Sequence, residues 1–256
     1  VKIVVCVKQT PDSEAKLTAQ DGQPYWGDAP LVINPFDEYA VEGALQQKEA
    51  VDASVTALCI GPDSARDALK HALAMGADEA ILVSDPALDE LDSAGAARVL
   101  AAAIQKIGDA DLVFFGRQTI DNGTGLVPAQ VARVLGWPLL SLVGAMTIEG
   151  GEIKVKRTIE EGKQAARAKT PAALSIMQGV GEPRYPSFMG IRKAGKAEIP
   201  VWTLADLGID APAQVVRRAE LLNPPVREAK CEIISGGSPA EIAEALADKI
   251  LAEKVL

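Results

Sequence analysis

The sequence predicts an α/β chain built on a doubly wound, Rossmann-like parallel sheet, with added antiparallel strands and an extended C-terminal arm. Three observations carry this. Four short apolar runs rich in β-branched residues (VKIVVCV, SVTALCIG, EAILVSD and DLVFFG) alternate with segments of helical period. These runs are apolar throughout, not at every second position, as in strands covered on both faces. After Pro138 the rhythm changes to alternating segments on either side of Gly150-Gly151, a hairpin signal.

Taken in order, residues 1–7 read as a buried strand, and the turn-rich stretch to Ile33 as a long loop containing a small hairpin. A helix follows through DEYAVEGALQQKEA, where Tyr39, Val41, Ala44, Leu45 and Lys48 recur at helical intervals. Then come strand SVTALCIG, helix ARDALKHALAMG closing on Gly76, strand EAILVSD, helix SAGAARVLAAAIQKIG ending at Gly108, and strand DLVFFG. Right-handed crossovers make these a doubly wound sheet, whose ligands bind beyond the carboxyl ends of the strands at the switch point. From Gly179 the chain reads as irregular. Between Asp210 and Gly237 the chain reads as an extended arm that does not cover itself, and the tail from Ser238, with Pro239 at the first helical position, reads as a helix. The expected division is a nucleotide-binding domain over 1–210 and an arm with its helix over 211–256.

Composition narrows the chemistry. With 48% hydrophobic residues and 4% aromatics, the 256-residue chain buries a core of Ala, Val, Leu and Ile. A net charge of -9 argues against a nucleic-acid partner. No apolar run approaches the roughly 20 residues of a membrane span, and the start lacks a secretory pattern, so the expectation is a soluble intracellular protein. Cys6, Cys59 and Cys231 are far apart and outside metal-ligand spacing; the first two sit in apolar runs and read as small buried hydrophobes. The single histidine, His71, lies in a helical pattern and reads as a surface or half-buried helix residue. No nucleophile elbow, zinc-protease motif or P-loop occurs.

The stretch GRQTIDNGTGLVPAQVARVLGWP begins where a strand should hand over to a helix. Gly123 and Gly125 permit close approach of backbone to a ligand, Asn122 and Thr124 add donors, and the helix start favours an anion. Asp121 suits either a ribose hydroxyl or the turn itself. An ordinary cap by Thr or Asn in a glycine-rich loop is the plainer reading. Asn34-Pro35-Phe36-Asp37 opens another helix: Asn34 can cap it or meet a ligand, and Phe36 offers an apolar face for a base. A third strand end, Ile60-Gly61-Pro62, makes a tight turn. Three such loops at one crevice favour a nucleotide.

Beyond these local readings, the chain resembles the beta subunit of electron-transfer flavoprotein along nearly its whole length, through VVCVKQTPD, NPFDEYAVEGAL, LAMGAD, GRQTID, VKRTIEEG and above all GEPRYPSFMGIRKAGK. The resemblance implies a heterodimer with an alpha subunit that carries most of the FAD contacts, moving electrons from flavin-dependent dehydrogenases to a quinone oxidoreductase or similar acceptor. It places the protein in the cytoplasm of a bacterium or in the mitochondrial matrix. In the common branch the crevice of this subunit holds AMP; in electron-bifurcating relatives, which oxidise NADH, it holds a second FAD. The nucleotide contacts carry over to Cys6 through its backbone, to Asn34, Pro35, Phe36 and Asp37, to Ile60, and to Gly116, Gln118, Thr119, Asp121, Asn122, Gly123, Thr124, Gly125, Leu126 and Val127.

Departures from the family pattern bear on the choice of ligand. Gly125-Leu126-Val127 stands where the AMP branch often has Asn-Gln-Thr, leaving phosphate contacts to backbone amides and Thr124. The bifurcating pattern D-G-D-T-x-Q-V-G-P is further away, because D-N-G-T-G-L-V-P lacks its second acidic residue and its glutamine. AMP is therefore favoured, with a second FAD as the alternative. The segment around 176–198 resembles the family's partner-recognition loop, which implies contacts from Glu182, Pro183, Arg184, Tyr185, Phe188 and Ile191. Read locally, Phe188 is a buried loop residue; the resemblance makes it an exposed anchor. Thr158 stands where many relatives carry a Glu thought to steer the flavin domain.

Overall fold

A computed structural model describes residues 1–89, 91–225 and 231–253. The chain begins with β1 (Lys2–Val7), β2 (Gln9–Pro11), the hairpin of β3 (Thr18–Gln20) and β4 (Gln23–Tyr25), β5 (Leu31–Ile33) and helix α1 (Pro35–Val51). β2 pairs antiparallel with β5, so the loop expected over 8–33 is folded back on itself. The alternation continues with β6 (Ser54–Ile60), α2 (Arg66–Met75), β7 (Glu79–Val83), α3 (Ser93–Ile107), β8 (Leu112–Gly116) and α4 (Val127–Leu135). Then follow β9 (Leu139–Glu149), β10 (Glu152–Ile159), β11 (Gly162–Lys169), β12 (Ala172–Ile176), α5 (Phe188–Ala194), β13 (Val201–Trp202), α6 (Leu204–Leu207) and α7 (Pro239–Ala252).

The main sheet has the order β11-β10-β9-β12-β8-β1-β6-β7-β13. Seven strands from β9 to β13 run parallel, and β10 and β11 extend one side antiparallel. The β9–β10 turn is Gly150-Gly151, at φ 58° and 75°; two consecutive positive φ values define the hairpin turn that glycine adopts without steric cost. The chain runs from β1 outward through β6 and β7, then returns to place β8 on the other side of β1. The carboxyl ends of β1 and β8 therefore form the switch point where open α/β sheets bind ligands.

Both faces of the sheet are covered. Ile3, Val5 and Val7 of β1 pack with Val41, Ala44 and Leu45 of α1 and Leu69 and Leu73 of α2. Val4 and Cys6 point the other way, toward Val99, Leu100 and Ala103 of α3 and Val131 and Ala132 of α4. Successive side chains alternating between two apolar layers explain why the runs are apolar throughout. Cys6 and Cys59 are buried on opposite faces, in keeping with their reading as small hydrophobes; burial pushes the Cys59 thiol up to about 12. His71 is half-buried on α2 and faces Glu38 of α1, its Nε2 2.8 Å from the carboxylate.

The irregular reading from Gly179 is corrected in part. Residues 188–194 form a helix capped by Ser187, whose hydroxyl accepts from the Gly190 amide, and 204–207 a second helix with a Thr203–Asp206 capping box. Both are too short for helical periodicity to register. Two units are distinguished, Val1–Leu221 and Leu222–Leu256. In the second, Ser238 caps α7 as expected, and no described residue of that helix is buried. Residues 226–230 and 254–256 of the expected arm lie outside the described residues.

Candidate functional site

The candidate site is built from the ends of β1 and β8 and the start of α1. α1 begins at Pro35, whose fixed φ and missing N–H suit the first helical position. Asn34, the residue before it, is fully buried, yet its side chain does not cap the helix. Instead Nδ2 donates to the Gln118 carbonyl (2.9 Å) and Oδ1 accepts from the Ile120 amide (3.2 Å), while its own amide donates to the Lys8 carbonyl (2.8 Å). One buried amide thus ties three segments together, and each of its bonds satisfies a polar group that burial would otherwise penalise.

Asp37, in the first turn of α1, completes the junction. Its carboxylate accepts the Lys8 amide at 2.8 Å. Burial pushes its pKa up to about 7, although hydrogen bonds from the Asn34 side chain and the Lys8 and Gly116 amides pull it the other way. Gly116 ends β8 hard against this turn. A methyl group there would lie 2.7 Å from the Phe36 carbonyl carbon and oxygen, and nearer still to Asp37 Oδ1. The absence of a side chain at 116 lets the helix start sit on the strand end.

Beyond Gly116 the chain rises into solvent. Arg117 is exposed, and residues 121–126 are all exposed. Asp121 pairs with Lys8; burial pushes its carboxyl up, but the Lys8 ammonium and hydrogen bonds from Lys8 and Thr119 outweigh this and hold it below its ordinary range. The Gly123 amide donates to the Thr119 carbonyl (2.8 Å), closing a turn in which Gly123 and Gly125 take positive φ, 64° and 61°. The plainer reading of this stretch fails: the residue before α4 is Leu126, and no side chain caps the helix. The first-turn amides of α4 are thus left to solvent or to a ligand.

The third loop is joined through Gln9, which exchanges two hydrogen bonds with Ser64 beyond the end of β6, donating to its carbonyl (2.8 Å) and accepting from its hydroxyl (2.9 Å). Of the residues singled out, Asn34, Pro35, Phe36, Asp37, Gly116, Gln118, Thr119 and Asp121 meet around this junction. Ile60 lies at the adjoining strand end, Asn122 to Val127 form the exposed loop and helix start, and Cys6 lies one residue inside β1, opposite Leu58 and Phe115. Lys8, Gln9 and Arg117 escaped the sequence reading. Lys8 had one available signal, as a lone cation at the end of a strand predicted to point at a crevice.

The second candidate region is the segment before and within α5. Arg184 is held, its Nε and Nη2 donating to the two oxygens of Glu42 at 2.8 and 3.1 Å and its Nη1 to Glu49 at 2.5 Å. Glu42 is buried; desolvation alone would raise its pKa, but the Arg184 contacts and Gln46 bring it below the usual carboxylate value. Gly190 lets α5 press on α2, since a methyl group there would collide with the Ala74 carbonyl. So braced, the segment presents Tyr185 and Phe188 at 95% and 91% exposure, with Met189 and Ile191 beside them. The local reading of Phe188 as buried is thereby overturned: it is the first residue of a short helix and stands almost fully exposed. Glu42 was missed, though an acid among the apolar positions of NPFDEYAVEGAL was its signal.

Comparison with known proteins agrees with this architecture. Residues 28–207 match the model of the electron transfer flavoprotein domain. An electron transfer flavoprotein subunit beta from Clostridium acetobutylicum is 34% identical over 252 residues, covering 92% of this chain and 97% of its own. One from Mycobacterium tuberculosis is 41% identical over 216 residues, 82% of this chain and 81% of its own. The caffeyl-CoA reductase-Etf complex subunit CarD of Acetobacterium woodii is 34% identical over 266 residues, spanning all of both chains. With the family model covering most of its length and relatives named as beta subunits matching it at 34–41% identity over 82–92% of the chain, the chain belongs to the electron transfer flavoprotein family, in its beta-subunit branch.

Proposed function

We propose that this chain is the beta subunit of a heterodimeric electron-transfer flavoprotein, that it holds AMP at the rim formed by Asn34–Asp37, Gly116–Val127 and the strand ends beside them, and that its α5 segment docks partner dehydrogenases. The observation that carries the nucleotide reading is the uncapped start of α4, opening from an exposed glycine turn at the switch point of the sheet. The residues fit an adenylate. Amides of residues 122, 124 and 127, the Thr124 hydroxyl and the exposed Arg117 offer donors to a phosphate, while Lys8 offsets the charge of Asp121 beside them. Asn34 and Gly116 act one step back, fixing the loop that carries those donors.

FAD, bound chiefly by an alpha subunit, supplies the electron-accepting and electron-donating chemistry. The part of this chain is to hold that subunit, with 1–210 as the nucleotide-binding domain and 211–256 as an arm around the partner, and to bring the complex onto a dehydrogenase and then a quinone oxidoreductase or other acceptor. Exposed Tyr185, Phe188, Met189 and Ile191 on a braced support suit an apolar anchor entering a partner pocket. A cytoplasmic setting accords with the bacterial relatives.

The CarD relative, named as a subunit of a complex with a reductase, favours a second reading, the bifurcating one implied by the family resemblance, in which the crevice holds a second FAD and the complex draws electrons from NADH. Mass spectrometry of the small molecules released on denaturing the purified heterodimer separates the two. One FAD and one AMP per complex are expected; two FAD and no AMP would reject the AMP reading and support the second.

A further inference from the structure

Asp92 does two jobs at the start of α3 that different oxygens of one carboxylate divide between them. Oδ1 accepts the Gly95 amide at 2.7 Å and caps the helix. Oδ2 accepts two further amides, those of Val215 and Val216, at 2.7 and 2.8 Å. These donors lie more than 120 residues away in sequence, at the root of the C-terminal arm. The same root passes close to α3 at Pro212, whose Cβ would lie 3.5 Å from a methyl group added to Gly95. Beyond Val216 the described residues up to Pro225 are exposed, Leu221 excepted. A carboxylate accepting several backbone amides is held in its charged form, which strengthens each bond.

We propose that Asp92 is the positioning residue for the arm: it clamps the backbone at Val215–Val216 to the amino end of α3 and so fixes the point from which the chain leaves to embrace a partner subunit. A polypeptide tethered at a fixed point loses less freedom on binding than one free to swing from the end of α6, so the clamp raises the affinity for the partner without touching it. This rests on the reading that the arm holds an alpha subunit.

The two jobs can be separated. Asp92→Ser keeps a hydroxyl that caps α3 and removes the oxygen that holds the arm. Asp92→Asn keeps the size, but its amide cannot at once cap the helix and accept the arm's two amides. The test uses the full-length chain co-purified with its partner subunit and compares wild type, both variants and a deletion of 217–256. Site-resolved hydrogen exchange at Val215 and Val216 should accelerate at least tenfold in Asp92→Ser, with tryptic cleavage after Arg217 and Arg218 accelerating in step. Exchange within α3 should stay near wild type, and the dissociation constant of the heterodimer should rise about tenfold or more. Asp92→Asn should move the arm readouts in the same direction and provides them if the serine variant does not fold. Unchanged exchange at 215 and 216 would overturn the clamp. Faster exchange with unchanged subunit affinity would overturn its positioning role. A heterodimer that survives the deletion would instead overturn the reading of the arm, and the exchange data would still report on the clamp.

Discussion

Replacing Gly116 with alanine tests whether the start of α1 really rests on the end of β8. The added methyl carbon would stand 2.7 Å from the Phe36 carbonyl carbon and oxygen, whereas relaxed carbon contacts lie at about 3.5–4.0 Å. Roughly 1 Å must be found; Asp37 Oδ1, which is nearer still, belongs to a side chain, but the Phe36 carbonyl is backbone and cannot rotate away. Overpacking of this kind costs about 1–3 kcal/mol. Alanine gives back roughly 0.4–1 kcal/mol by restricting the unfolded chain, because Gly116 is not in the left-handed region. With the overpacking cost at the upper end of its range, because part of the obstacle is backbone, a net loss of about 2 kcal/mol follows, a fall of roughly 0.7 M in the urea midpoint for a slope near 3 kcal/mol/M. The control is Gly123→Ala, where nothing lies within 4 Å but φ is +64°; its cost is conformational only, about 1 kcal/mol. Circular dichroism during urea unfolding reads stability, and mass spectrometry of released nucleotide reads the rim. Gly116→Ala should be the more damaging and should also lose nucleotide, since moving α1 drags Asn34 from Gln118 and Ile120. A Gly116→Ala protein as stable as wild type, or one less affected than Gly123→Ala, would refute the close-approach reasoning.

The remaining predictions concern charge and docking. Asp37 has a folded pKa raised from 3.8 to about 7, so between those values the native state binds a proton that the unfolded chain has released. Its contribution is therefore present in acid and lost as pH rises from about 4 to 7, by up to about 4 kcal/mol. Urea melts at pH 4.5, 6 and 7.5 should show Asp37→Asn gaining on wild type with rising pH, and a constant difference would mean that Asp37 titrates normally. Arg184→Ala strips a buried carboxylate of its partner. Since Arg184 is itself one-third exposed, about 1–3 kcal/mol is expected rather than the full cost of a broken buried pair; Arg184→Lys should recover only part, because an ammonium cannot span both oxygens of Glu42 and reach Glu49. Thermal melts and hydrogen exchange over residues 181–196 check both. Phe188→Ala should leave folding, flavin and nucleotide unchanged while slowing reduction by the partner dehydrogenase at subsaturating concentration about tenfold or more; equal rates would remove the anchor role.

Most of the sheet was legible because a strand covered on both faces needs an apolar residue at every position, and Lys2–Val7, Ser54–Ile60 and Leu112–Gly116 have one almost throughout. The antiparallel extension was legible from the glycine pair. Other features were hidden for physical reasons. β12 reads as one more apolar run, and nothing local says that it will lie between β9 and β8. β13 has two residues and α6 four, below the length at which a period can be counted. At the rim, Asn34, Asp37 and Gly116 could be singled out by position, but their work could not: Asn34 looked like a cap and serves as a cross-tie between loops more than 80 residues apart. Arg184 looked like a surface contact for a partner and proves to be fastened to Glu42, a pairing fixed only by folding. Phe188 shows the converse, since an aromatic residue looks like core until the tertiary structure leaves it outside.

The placement of β12 has a consequence for how the protein comes off the ribosome. Residues 1–135 contain β1, β6, β7 and β8 and the four helices that cover them, yet the outer edge of β8 pairs with nothing until residue 176 has emerged. From Gly116 to Ile176, about sixty residues of synthesis, this edge, with fully buried Phe114 at its centre in the finished molecule, stands open as a template for whatever extended chain arrives first. The antiparallel hairpins made in that interval are local and quick to form, so they wait beside the gap that the later strand must enter. Nascent chains whose emerged portion ends between about residues 120 and 170 should therefore be the aggregation-prone species of this protein, and chaperone demand should fall once Ile176 has cleared the exit tunnel.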